Sequence, residues 1–143
     1  MSPSSYKNVV RKLKMNKAVI DSSALIAFLK DESFSLNELE PILSHGVISS
    51  VNACEVATVL ARLGMPITNI DELINGTIGA VVSFDKELSL AAAKLWELTK
   101  SYGLSLGDRA CIALGQKLQL PIYTADKIWK EVNLDNIDIR LIR

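Results

Sequence analysis

With 143 residues, the chain has the length of one domain and can bury roughly two-thirds of its unfolded surface. Apolar residues make up 49% and charged residues 22%, a globular balance that excludes a disordered or fibrous chain. Sixteen basic and sixteen acidic residues cancel, but the first 17 positions hold five basic residues and no acid, leaving the remainder at a net of −5.

Residues 1–16 read as a basic leader ahead of a domain spanning 17–143. The leader lacks the apolar stretch of a signal peptide, and no run approaches the roughly 18 apolar residues of a membrane span. The expectation is a soluble, cytoplasmic protein. Lys17 to Asp21 reads as a short buried strand, and Ser22 to Lys30 as a helix with Leu25, Ile26 and Leu29 on its apolar face. A second helix, Ser35 to Leu43, opens on Ser35-Leu36-Asn37-Glu38, which has capping-box spacing. Gly46 to Ser50 is the next strand, and Asn52 to Leu63 a helix closed by Gly64 and Pro66.

From Pro66 to Gly79 the pattern supports a long connection with a short helix around Ile70 to Ile74. Ile78 to Phe84 is rich in strand formers. Asp85 to Tyr102 predicts one amphipathic helix through Leu88, Ala92, Leu95 and Trp96, ended by Gly103. Asp108 to Leu118 is a further helix, Ile122 to Thr124 a strand, Lys127 to Val132 a short helix, and Ile137 to Ile142 a last strand. Strands separated by helices throughout imply a three-layer α/β/α domain with a mostly parallel central sheet.

Cys54 and Cys111 stand alone among small apolar residues and read as core positions, with no zinc or disulfide pattern. The single histidine, His45, lies in a Ser-His-Gly turn and offers neither a zinc site nor a catalytic triad.

Four acids stand out: Asp21, Glu55, Asp108 and Asp126. Each sits where a strand or loop gives way to an apolar helix, at the edge where open α/β sheets bind ligands. Each also has a structural reading. Asn52-Ala53-Cys54-Glu55 and Ser105-Leu106-Gly107-Asp108 have capping-box spacing, and Asp21 and Asp126 precede helices as N-caps do. Acids near apolar helices nonetheless require partners, and four converging carboxylates repel unless a cation joins them. Hard ions such as Mg²⁺ or Mn²⁺ take oxygen ligands of this kind. An acidic body also needs such ions, or local cations, to approach a nucleic acid.

The motifs resemble a known family. Ala18-Val19-Ile20-Asp21-Ser22-Ser23-Ala24-Leu25 resembles the opening strand of PIN-domain ribonucleases, particularly the VapC toxins of toxin–antitoxin pairs. Gly103-Leu104-Ser105-Leu106-Gly107-Asp108-Arg109-Ala110 resembles the loop and helix bearing their third acid, and Ile122-Tyr123-Thr124-Ala125-Asp126 their strand ending in Thr/Ser-x-Asp. Glu55 stands where the second acid is expected.

The resemblance implies a Mg²⁺- or Mn²⁺-dependent endoribonuclease. Asp21, Glu55, Asp108 and Asp126 would hold the metal and act in catalysis, with a metal-activated water cleaving the RNA. Thr124 and Ser22 would orient carboxylates, and Arg109, Lys127 and Lys130 would meet RNA phosphates. It further implies a VapB-like antitoxin partner and a homodimer, for which the apolar faces around Ile26 to Phe34 and Val56 to Leu63 are candidates or else core. Alternatives are a PIN-like module that binds without catalysis and a Mg²⁺-dependent phosphohydrolase of haloacid dehalogenase type. The latter needs a second Asp where Ser23 stands, and a receiver-like phosphoacceptor needs an adjacent acid pair absent from Lys17 to Ser23.

Overall fold

The computed structural model describes residues 16–30 and 36–143. The basic leader, apart from Asn16, lies outside these residues, as do Ser35 of the expected capping box and Phe34 of the expected apolar face.

The first strand, β1 (Ala18–Ile20), is buried at every position, as a central parallel strand covered on both faces must be. Helix α1 (Ser22–Leu29) follows, then α2 (Leu36–Ser44), β2 (Gly46–Ser49), α3 (Ser50–Arg62), α4 (Ile67–Thr77) and β3 (Ala80–Val82). The second half runs through α5 (Lys86–Lys94), α6 (Trp96–Thr99), α7 (Leu106–Leu118), β4 (Ile122–Thr124) and β5 (Ile139–Leu141), with 3₁₀ turns at Lys100–Tyr102 and Lys127–Glu131.

All strand pairings are parallel, in the order β3-β2-β1-β4-β5. The chain steps outward from β1 to β3, then returns to place β4 on β1's other side. This reversal makes a switch point between β1 and β4, where such sheets open a crevice at the strand ends.

Side chains alternate across the strands and split the core in two. Ala18, Ile20 and Ile48 pack with Leu25, Leu43, Val56, Leu60, Ile70 and Ile74 of α1 to α4. Val19, Val47, Ile122 and Ile139 pack with Leu88 and Ala92 of α5, Ile112 and Leu114 of α7, and Trp129. The expected three-layer α/β/α architecture is therefore present.

Several local expectations are corrected. The 66–79 connection is a full helix: Ile70 and Ile74 bury one face, which outweighs the poor helix propensity of Thr68, Asn69, Asn75 and Gly76. The expected single helix from Asp85 to Tyr102 breaks at Leu95, whose N–H bonds the Ala92 carbonyl three residues back. That carbonyl also accepts from Arg109 Nη1 at 2.9 Å.

Helix α3 starts at Ser50 rather than near Asn52, because the Ser49 hydroxyl caps it by accepting from Val51 N at 3.2 Å. Glu55 consequently lies in the second turn and is not a capping-box residue. Cys54 is exposed, whereas Cys111 is buried as expected. Val56 and Leu60 belong to the core, while Leu63 is 73% exposed.

Candidate functional site

The carboxyl end of β1 delivers Asp21 into the interior, where the residue is only 2% exposed. Although it occupies the N-cap position of α1, its side chain makes no capping bond. Instead Oδ2 accepts from Ser23 Oγ at 2.5 Å and from Thr124 Oγ1 at 2.9 Å. The two hydroxyls lie 3.1 Å apart, and each also accepts a backbone N–H: Ser23 from Ala125 at 2.9 Å, Thr124 from Asp126 at 3.1 Å. These bonds clip the ends of β1 and β4 together and fix the carboxylate. Asp21 Oδ1 is buried with no hydrogen-bond partner.

Glu55 approaches from α3. Its Oε1 accepts from Asn52 Nδ2 at 2.8 Å and Ser22 Oγ at 3.1 Å, tying α3 to α1. Asn52 Nδ2 also donates to the Gly107 carbonyl at 3.0 Å, drawing in the first turn of α7. There Asp108 completes the expected capping box: its N–H bonds Ser105 Oγ at 3.2 Å, and its Oδ2 accepts from Ser105 N at 2.8 Å. Asp126, after β4, is exposed and caps the 3₁₀ turn by accepting from Ile128 N at 3.2 Å.

Burial and mutual repulsion shift the protonation of these groups. Burial raises Asp21 from an ordinary 3.8 to about 6; the Ser23 and Thr124 bonds oppose this, while Asp108 and Glu55 add to it. Burial likewise raises Asp108 against its bonds to Ser105, with Asp126 and Glu55 contributing repulsion. The Cys111 thiol, fully buried on α7, is pushed up by burial and then by Asp21, Asp108 and Glu55. Repulsion thus links Asp21 to Asp108 and Glu55, and Asp108 to Asp126 and Glu55.

Their donor set is hard oxygen, and the buried, unpartnered Asp21 Oδ1 fits an ion. Among the described residues, however, no three His, Cys, Asp or Glu side chains close into a cage that would hold a metal. The fit is to an ion that touches one or two carboxylates and keeps several waters, as Mg²⁺ usually does.

The remaining candidates separate. Thr124 and Ser22 hydrogen-bond Asp21 and Glu55. Lys127 and Lys130 are exposed, and Lys127 lines an open cleft with Ser23, Ala125, Asp126 and Arg143. Arg109 is anchored on the Ala92 carbonyl of α5. In the sequence Asn52 and Gly107 stand only within motifs of capping-box spacing, and Ser23 only where a haloacid dehalogenase-type enzyme needs its second Asp. A buried Asn within an otherwise apolar helix face, three residues before an acid, was the available signal for Asn52.

The PIN domain family profile matches residues 18–134, most of the chain. The chain belongs to the PIN domain family. Solved structures share its fold. VapBC2 of Rickettsia felis, bound to a DNA fragment from their promoter, is 12% identical with a TM-score of 0.66, covering 87% of this chain and 97% of that one. DNA-bound VapBC of Salmonella typhimurium is 13% identical with a TM-score of 0.68, covering 90% and 100%. VapBC-5 of Mycobacterium tuberculosis, from the VapBC family of toxin–antitoxin systems, is 18% identical with a TM-score of 0.55, covering 90% and 98%. No curated protein sequence matches the chain. Among the described residues of this PIN domain, no helix is long and apolar enough to cross a membrane.

Proposed function

We infer that this PIN domain is a VapC-type endoribonuclease that uses Mg²⁺ or Mn²⁺ and is neutralised in the cytoplasm by a VapB-like antitoxin. The observation carrying this reading is Asp21: a carboxylate buried at the switch point, with Oδ2 fixed by two hydroxyls and Oδ1 left without a partner. Burying an ionised carboxylate with one oxygen unsatisfied costs stability, and a cation at that oxygen offsets the cost.

Asp21, Glu55, Asp108 and Asp126 would hold the ion directly or through water. When bound, the ion supplies positive charge at the scissile phosphate and lowers the pKa of the attacking water. Ser23 and Thr124 keep Asp21 in one orientation, so little reorganisation accompanies the reaction. Ser22 and Asn52 do the same for Glu55. Lys127 and Lys130, which form no ion pair among the described residues, supply charge for flanking phosphates. The antitoxin partner rests on the VapBC likeness, and the homodimer on the motif resemblance alone.

The test is cleavage of single-stranded RNA by the purified protein with Mn²⁺. Activity is expected to vanish with EDTA and in Asp21→Asn. RNA cleavage that survives Asp21→Asn, or none from the unmodified protein, overturns the reading.

A further inference from the structure

Asn52 is fully buried on α3, yet its amide is only half used. Nδ2 donates to Glu55 Oε1 at 2.8 Å and to Gly107 O at 3.0 Å, while Oδ1 is buried with no partner. An apolar side chain would fill the same space without stranding an acceptor, so stability alone does not explain an asparagine here. What it achieves lies in where its two donors point. One holds the carboxylate of Glu55; the other holds the peptide immediately before Asp108.

Gly107 completes the arrangement. A Cβ there would lie 2.5 Å from Glu55 Oε2 and 2.6 Å from Oε1, so the carboxylate occupies the space a side chain would take. Glu55 is thus pressed onto the backbone of α7, with Asn52 and Ser22 both bonded to Oε1 and neither to Oε2.

We propose that Asn52 is a positioning residue: it locks α3 to α7 and thereby sets the spacing between Glu55 and Asp108, the two acids that those helices carry to the ion. This rests on the metal-dependent reading above. Partners that orient metal-holding carboxylates are worth on the order of 10- to 100-fold in ion affinity.

Asn52→Leu and Asn52→Ala test it, with Mn²⁺ affinity read by calorimetry near pH 8, circular dichroism confirming the fold, and RNA cleavage followed in parallel. The expected result is a folded Asn52→Leu protein, as stable as the unmodified one, whose Mn²⁺ affinity falls by about 10- to 100-fold. Glu55→Gln should add little further loss in the Asn52→Leu background, because Asn52 acts through Glu55. Unchanged Mn²⁺ affinity, or fully additive losses, overturns the proposal. So does failure of both variants to fold, which would assign Asn52 to stability alone. If the unmodified protein cleaves no RNA but loses Mn²⁺ affinity in Asn52→Leu, the ribonuclease reading fails and the role of Asn52 stands.

Discussion

The hydroxyl of Thr124, at the end of β4, donates a 2.9 Å hydrogen bond to the Asp21 carboxylate at the end of β1, 103 residues earlier. This bond crosses the switch point of the sheet and joins one half of the chain to the other at the candidate site. It also competes with burial: it favours the ionised carboxylate, yet desolvation wins and lifts Asp21 to about 6.

That elevation sets the direction of the pH response. A carboxyl that binds its proton more tightly when folded stabilises the fold as pH drops from about 6 towards the ordinary 3.8, and penalises it above about 6. The elevated Asp108 acts in the same direction. In EDTA, Asp21 should make the protein up to about 3 kcal/mol more stable near pH 4 than near pH 8. Urea denaturation at the two pH values checks this. Saturating Mn²⁺ should remove much of the penalty at pH 8, since a cation favours the ionised form.

Asp21→Asn should separate stability from function. The neutral amide removes a buried charge while its oxygen still accepts from Ser23 and Thr124. In EDTA near pH 8 the variant should gain on the order of 1–3 kcal/mol, while Mn²⁺ binding and RNA cleavage disappear. Thermal melting paired with calorimetry measures both. A variant less stable than the unmodified protein would show that the carboxylate contributes to the fold.

Gly107→Ala should disturb the site more than the fold. The new methyl meets the carboxylate of Glu55, the end of a flexible side chain that can swing aside. A stability loss of about 1 kcal/mol is expected, with Glu55 displaced and Mn²⁺ affinity lowered at least several-fold. A crystal structure with Glu55 still against residue 107 would contradict this.

The cations should divide by anchorage. Arg109→Ala removes a donor to Ala92 O and should cost about 1–2 kcal/mol of stability with little change in the salt dependence of RNA binding. Lys127→Ala should leave stability nearly unchanged but reduce the slope of log K against log salt by about 0.7 for a single strand. Fluorescence anisotropy across a salt series distinguishes them.

The layered fold was legible because buried strands such as Ala18–Ile20 read as continuous apolar runs and helices as 3.6-residue periods. Asp21, Asp108 and Asp126 stood out because each follows a clear element or falls in the first turn of one, whereas Glu55 lies in the second turn of α3. Two features escaped. At the break at Leu95 the Ala92 carbonyl is shared with Arg109, a tertiary contact that local periodicity does not carry. The bond from Asn52 to Gly107 spans 55 residues, and its spacing to Glu55 imitated a helix cap that the earlier start at Ser49 had already supplied.

Ser23 carries a consequence for synthesis. Its hydroxyl accepts from the Ala125 amide, and its neighbour Thr124 supplies the other bond to Asp21, so the site's first acid is finished by residues near the end of the chain. A ribosome releases Asp21, Glu55 and Asp108 before it releases Thr124. Until β4 slots in beside β1, the first carboxylate lacks one of its two clasps. The candidate site is therefore completed only when the last elements fold, and a nascent chain still lacking β4 would hold Asp21 less firmly than the finished one.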